Sequence, residues 1–162
     1  MLKRILIGVI LTFFAFSTNA QTTYEMSNMT VTDCRGIFID SEDGQTAGNY
    51  DHNENFVFTI CVPGASSIKM VLANINTEKD ADTLSFYDGN NTGASSLGNY
   101  HGNYSNITIT STGNCLTIKF VSDKSLANIG WNATWESVIT SVPMPTISPI
   151  PNPTCNSTSI DI

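Results

Sequence analysis

The chain is short of basic residues, of histidine and of the motifs that accompany catalysis. It carries 7 lysines and arginines against 14 aspartates and glutamates, a net charge of −7. Phosphate backbones and anionic lipid repel such a chain, which argues against a nucleic-acid or membrane partner. The Gly-x-Ser-x-Gly nucleophile motif is absent, and neither His52 nor His101 has metal-ligand spacing. We therefore predict a protein that is not an enzyme and that binds no nucleic acid.

Helical patterning and long apolar runs are absent after residue 20. No later segment repeats apolar residues at the i, i+3, i+4, i+7 spacing of an amphipathic helix. Instead, apolar residues alternate with polar ones over short segments bounded by turn residues, as at Leu116, Ile118 and Phe120. This pattern predicts an all-β fold, an antiparallel β-sandwich or jelly roll. The predicted strands are 36–40, 56–62, 68–72, 83–87, 97–100, 106–111, 115–121 and 131–136.

The first 20 residues have the pattern of a cleavable signal peptide. Lys3 and Arg4 precede an apolar run that is too short to span a bilayer comfortably, and small residues up to Ala20 offer a cleavage site. Cleavage would leave five basic residues against 14 acidic ones, a net charge of −9. We predict a secreted, extracellular protein. Its predicted parts are a signal peptide at 1–20, a lead-in at 21–33, a sandwich domain at 34–138 and a proline-rich linker or tail at 139–162.

The cysteine content indicates disulfides rather than a zinc site. An exported chain with four cysteines suggests two disulfides, which allow three pairings. A bond from Cys34 to Cys61 would close a loop of 27 residues, worth roughly 3.5 kcal/mol of loop-closure entropy. We favour that pair, which leaves Cys115–Cys155 by elimination. No CxxC motif is present, which argues against structural zinc.

Acidic residues crowd into the short loop that precedes the strand at 83–87. Glu78, Asp80 and Asp82 repel one another, so water, lysines or a cation must offset their charge. Asp123 is distant in sequence but also directly follows an alternating apolar run. We interpret Glu78, Asp82 and Asp123 as ligands that the fold gathers around one Ca²⁺. The alternative is that these residues are solvated loop acids.

The order of these landmarks resembles that of the CUB domain family. The most specific part is D-x-L-x-x-Y-D-G at 82–89, followed by F-x-S-D at 120–123 and G-W at 130–131. The resemblance covers about Cys34 to Val138. Its further segments are 34–38, 48–50, 61–64, 97–102 and 111–119.

The resemblance implies a binding module in which one glutamate and two aspartates hold Ca²⁺. Glu78, Asp82 and Asp123 match the acidic ligands, Tyr50 matches the supporting tyrosine, and Asp80 could replace either neighbour. Backbone carbonyls from 125–129 could complete the oxygen shell. In this family the ion orders the loops, and an exposed ligand carboxylate can pair with a lysine of an extracellular protein partner.

The chain departs from the family pattern in its cysteines and in its acidic loop. The loop from Glu78 to Asp82 is shorter than in many animal CUB domains, and no cysteine precedes Asp82. Cys61 lies late in its strand, while Cys115 inside a later strand resembles CUB-like domains of bacterial surface proteins. These departures leave the disulfide pairing open.

Two other functions fit the sequence. The aromatic segment Tyr100–Tyr104 suggests a carbohydrate-binding jelly roll that contacts a glycan. The proline-rich tail suggests a non-catalytic appendage of a larger secreted protease or adhesin. Candidate N-glycosylation sites, which a chain rich in Asn, Ser and Thr also generates by chance, are Asn28, Asn90, Asn103, Asn106, Asn132 and Asn156.

Overall fold

The computed structural model describes residues 21–41 and 48–140, and its regular elements there are all β-strands. These residues contain no helix that could cross a membrane. The predicted signal peptide, Cys155, Asn156 and nearly all of the predicted tail lie outside the described residues. The strands are β1 (Thr23–Glu25), β2 (Met29–Val31), β3 (Arg35–Ile39), β4 (Asn55–Cys61), β5 (Ser67–Asn76), β6 (Thr83–Asp88), β7 (Ser95–Tyr100), β8 (Asn103–Thr110), β9 (Cys115–Val121) and β10 (Gly130–Val138).

The strands form two five-stranded sheets that pack as a sandwich, so the all-β prediction is confirmed. The first sheet has the order β1-β3-β10-β5-β8, and the second has the order β2-β4-β9-β6-β7. The pairs β1–β3 and β2–β4 are parallel, and the remaining pairs are antiparallel. Each of the eight predicted strands is present, as β3 to β10; β9 has the predicted bounds, and the other seven differ by up to four residues at an end.

The segment predicted as a lead-in, 21–33, instead contributes a strand to each sheet. β1 and β2 supply the two parallel pairs, and Met26 and Val31 are buried in the core. Each strand is only three residues long, and few of its side chains face inward. The alternation that marks the longer strands therefore has too few residues to show in the sequence.

The core lies between the sheets and is built from the inward side chains of the longer strands. Phe38 of the first sheet meets Phe58 of the second with ring centroids 4.7 Å apart. The ring centroids of Trp131 and Phe120, which lies near the end of β9, are 4.8 Å apart. Each fully buried aromatic or aliphatic side chain contributes about 1.5–3 kcal/mol, so this layer supplies much of the stability of the fold. Trp131, Ala133 and Trp135, alternate residues of β10, all face this core.

The predicted disulfide pairing is wrong. Cys61 is bonded to Cys115 with their Cα atoms 4.2 Å apart, which excludes both Cys34–Cys61 and Cys115–Cys155. The reason is the register of two antiparallel neighbours: Cys61, the last residue of β4, is directly opposite Cys115, the first residue of β9. Opposite residues of adjacent antiparallel strands are close enough for a disulfide bond.

The pairing of β4, β6 and β9 also shows which strand ends lie together at each of the two ends of the sandwich. Asn55 and Thr83, the first residues of β4 and β6, both pair with Val121, the last residue of β9. We call this end, with the loops containing Tyr50, Glu78, Asp82 and Asp123, the acidic end. The opposite end, which contains Cys61–Cys115 and Asp88, is called the disulfide end. The disulfide bond is therefore remote from the candidate site.

Candidate functional site at the acidic end

Three acidic side chains meet at the acidic end, as the sequence pattern suggested. One carboxylate oxygen each from Glu78, Asp82 and Asp123 lies within 4.8 Å of the other two. Asp82 immediately precedes β6 and Asp123 lies two residues after β9, and these two strands are antiparallel neighbours. The end of one strand therefore lies beside the start of the other, which brings together residues that are far apart in sequence.

Asp82 is the buried member of this acidic triad. Its side chain is 0% exposed, yet both carboxylate oxygens have hydrogen-bond partners. The Tyr50 hydroxyl donates to Oδ2 at 2.6 Å, and the Asp123 backbone N–H donates to Oδ1 at 2.8 Å. A hydrogen bond to a charged group is stronger than one between two neutral groups. These two bonds therefore offset part of the free-energy cost of burying the Asp82 carboxylate.

Tyr50, the tyrosine that the family resemblance singled out, connects three loops of the acidic end. Besides its bond to Asp82, its hydroxyl accepts the Glu78 backbone N–H at 2.9 Å. The hydroxyl also lies 3.3 Å from the Leu126 carbonyl oxygen. Burial, followed by the bond to the Asp82 carboxylate, raises the pKa of Tyr50 well above its ordinary value. The phenol is therefore a proton donor at neutral pH.

The sequence interpretation named only the backbone carbonyl of Ser125, whereas in the structure its hydroxyl and N–H contact the acidic side chains. Its hydroxyl lies 3.1 Å from Glu78 Oε2 and 2.8 Å from Asp123 Oδ1, and its backbone N–H donates to the same Asp123 oxygen at 2.7 Å. The backbone and side-chain donors of Ser125 lower the pKa of Asp123. The spacing Asp-x-Ser is the available sequence signal, because a short acceptor two residues before a serine favours such a turn.

The carbonyls predicted to complete an oxygen shell are largely used by the fold. The Ala127 carbonyl accepts the Asn49 side-chain amide at 3.0 Å, and the Asn128 carbonyl accepts the Tyr50 backbone N–H at 3.2 Å. These bonds hold the loop after Asp123 against the segment around Tyr50. The Leu126 carbonyl lies within reach of the Tyr50 hydroxyl.

Asp80, the alternative ligand, is not a member of the group of three that meets at this end. Its backbone N–H donates to His101 Nδ1 at 3.1 Å, and its carboxylate Oδ1 lies 3.3 Å from the same nitrogen. Asp80 also has a φ of 64°, in the left-handed region. That backbone conformation turns the loop between Glu78 and Asp82, which are joined by a bond from the Asp82 N–H to the Glu78 carbonyl.

The aromatic segment Tyr100–Tyr104 joins the edges of the two sheets. Tyr100 of β7 packs edge-on against Phe86 of the core and against Tyr104 of β8. Tyr104 is 40% exposed, so it is the more accessible of the two rings. Because the two rings pack edge-on against each other, they do not present one flat, open surface on which a glycan could stack.

The five candidate glycosylation sites in the described residues are all exposed: Asn28, Asn90, Asn103, Asn106 and Asn132.

Residues 28–135 match the family model described as CUB domain. The chain is 34% identical to dog cubilin over 105 residues and 31% identical to human cubilin over 102 residues. These matches cover 60% and 59% of this chain but 3% of each cubilin, so the chain spans a small part of the curated relatives it matches.

Solved structures agree with this match at the level of the fold. The Ca²⁺-bound MASP-1 CUB2 domain superposes with a TM-score of 0.57 and 20% identity, covering 68% of this chain and 98% of that one. The extracellular region of zebrafish Gpr126/Adgrg6 gives a TM-score of 0.59 and 22% identity, covering 71% of this chain and 15% of that one.

Proposed function

Because this chain belongs to the CUB domain family, we propose that it is an extracellular, non-catalytic binding module whose acidic end holds Ca²⁺ and contacts a protein partner. CUB domains are typically extracellular protein-binding modules, which supports the general class. The single observation that carries the specific proposal is the meeting of Glu78, Asp82 and Asp123. The prediction that the domain is an appendage of a larger secreted protease or adhesin stays a prediction.

The donor set fits calcium. Ca²⁺ prefers oxygen ligands at about 2.3–2.6 Å, so two oxygens on the same ion are at most about 5 Å apart. The three carboxylate oxygens lie within 4.8 Å of one another, which satisfies that limit. Glu78, Asp82 and Asp123 would hold the ion, and Tyr50 and Ser125 would position their carboxylates. When bound, the ion would neutralise the repulsion among the carboxylates and so order the loops.

The charges at the site favour a basic partner group. Three carboxylates exceed the charge of a divalent cation by one, and Asp123 is exposed. Lys79 and Lys124 lie in the same loops, but neither forms an ion pair with the triad among the described residues. A lysine or arginine of a partner protein would therefore meet a negative site, in a protein whose overall charge is also negative.

Thermal unfolding with and without calcium tests this function. Calcium should raise the melting temperature of the wild-type protein, because an ion that binds only the folded state stabilises that state. Asp123→Asn should lose most of this rise, since the exposed side chain keeps its shape but loses its charge. Asp88→Asn at the disulfide end is the matched control and should keep the full rise. Equal calcium shifts in the wild type and Asp123→Asn, or no shift in the wild type, would remove the proposed site.

A further inference from the structure

The loop that follows Asp123 exposes two aliphatic side chains beside the acidic triad. Leu126 is 68% exposed and Ile129 is 58% exposed, the highest values for large hydrophobic side chains among the described residues. Between them, Ala127 packs against the core. Single exposed aliphatic residues are common, but here two of them lie within four residues of one loop that borders a charged site.

The exposure of these side chains is set by an anchored backbone. The carbonyls of Ala127 and Asn128 accept hydrogen bonds from Asn49 and Tyr50, and Ser125 bonds to Asp123 and Glu78. With the backbone held on both sides and Ala127 directed inward, Leu126 and Ile129 face solvent. An apolar side chain presented on an ordered loop loses little conformational entropy on binding, which is a property of good interface anchors.

We propose that Leu126 and Ile129 form an apolar rim that selects the partner of the acidic end. The occupant is a segment of a partner protein in which a lysine or arginine has aliphatic neighbours. Its cation pairs with the triad while its aliphatic side chains cover the rim. This inference rests on the proposed function, because the basic residue is selected by the charge of that site. The charge selects the cation, and the rim selects the residues beside it.

Immobilised peptides test the rim with defined probes. Three capped peptides differ only at their centre: lysine flanked by leucines, lysine flanked by serines, and glutamine flanked by leucines. With calcium present, the intact wild-type protein should bind the leucine–lysine peptide about tenfold more tightly than the serine–lysine peptide, as expected for partial burial of an aliphatic side chain. The glutamine peptide should bind more weakly than the leucine–lysine peptide because it lacks the charge.

Two substitutions remove the rim without changing the acidic residues. Leu126→Asn suits the backbone φ of 36°, since asparagine tolerates the left-handed region, and Ile129→Thr keeps β-branching. Each should reduce the preference for leucine flanks severalfold, and the double variant should abolish it. Val71→Thr is the matched control, since Val71 is 36% exposed on β5 outside the acidic end, and it should keep the preference.

The outcomes separate the rim from the calcium site. Retained calcium stabilisation with a lost leucine preference in the double variant supports the rim. Equal binding of the two lysine peptides by the wild type overturns the rim and leaves the calcium site standing. Absence of calcium stabilisation in the wild type overturns the proposed function itself. Preference for leucine flanks with either central residue overturns the basic partner. A concentration-dependent dimer that Leu126→Asn abolishes makes a second copy of this chain the occupant, which also overturns the proposal.

Discussion

At the disulfide end, a covalent bond between Cys61 and Cys115 closes the β4–β9 pair, whereas at the acidic end the same two strands lead into hydrogen-bonded carboxylates. Asp88 at the disulfide end accepts the Thr112 N–H at 2.8 Å and the Thr112 hydroxyl at 2.7 Å. Each of its oxygens thus has its own donor. The Asp88 carboxylate therefore connects the turn after β6 to the turn after β8, and it is not one of the clustered acidic side chains.

The acidic end differs because its carboxylates are linked to one another through their donors. Ser125 serves both Glu78 and Asp123, and Asp82 takes its donors from Tyr50 and from the backbone of Asp123. Three acidic side chains therefore converge on neutral hydrogen-bond donors, and this arrangement supports the proposal that a cation offsets their charge. Asp88 thus lies alone with its donors, whereas the three acidic side chains of the acidic end lie together.

The largest expected effect comes from removing the covalent bond. The Cys61→Ala, Cys115→Ala double variant should lower the free energy of unfolding by about 4 kcal/mol, the loop-closure entropy for a sequence separation of 54 residues. Urea unfolding measures this change. The rise in melting temperature with calcium should survive, because the disulfide lies at the opposite end of β4 and β9. Loss of the calcium effect would show that the two ends are coupled and would break the comparison.

The disulfide also marks a limit of inference from sequence. Loop-closure entropy describes the unfolded chain and favours longer loops, so it does not discriminate against Cys61–Cys115. The pairing follows from the register of β4 with β9, in which Cys61 and Cys115 are opposite although 54 residues separate them in sequence. By contrast, β9 is predicted with its observed bounds, because Leu116, Ile118 and Phe120 alternate with polar residues over five positions between turn residues.

The candidate site was accessible to sequence reasoning only in part. Glu78 and Asp82 are close in sequence, but the approach of Asp123 depends on the adjacency of β6 and β9, which the alternation of each strand does not reveal. The resemblance to CUB domains supplied that long-range information. The hydroxyl contacts of Ser125 could not be predicted, because they depend on a side-chain rotamer and on two acidic neighbours from different loops. Local sequence patterns predict strands, whereas a hydrogen-bond donor that contacts two loops depends on the tertiary fold.

The second prediction compares one carboxylate from each end. Without calcium, Asp82→Ala should lower the free energy of unfolding by about 3 kcal/mol, because it leaves the buried hydroxyl of Tyr50 and the N–H of Asp123 without their acceptor. Asp88→Ala should cost about 1 kcal/mol, because its donors from Thr112 are exposed and water can replace the carboxylate. Urea unfolding in chelator measures both. Equal losses would contradict the distinction between the fully buried Asp82 carboxylate and the partly exposed Asp88 carboxylate.

The smallest expected effect concerns the hydrogen bond between Tyr24 and Asp33, which lies outside the acidic end. The contribution of this bond to stability should change with pH in the basic range. The Tyr24 hydroxyl donates to the Asp33 carboxylate, and this hydrogen bond, with burial and the nearby negative charge, raises the pKa of Tyr24. A folded-state pKa above the unfolded value of about 10 means that the stabilisation is complete below pH 10 and is lost as the pH rises through the folded value.

Tyr24→Phe should therefore cost about 0.5 kcal/mol at neutral pH, as expected for one exposed hydrogen bond. The difference from the wild type should shrink above pH 10, when the wild-type phenol ionises beside Asp33 and gains nothing from it. Urea unfolding of both proteins at pH 8 and above pH 10 measures the change, with calcium omitted so that the acidic end contributes equally to both. A difference that stays constant with pH would mean that the ring of Tyr24, which packs on Phe58 and Trp135, matters and its hydroxyl does not.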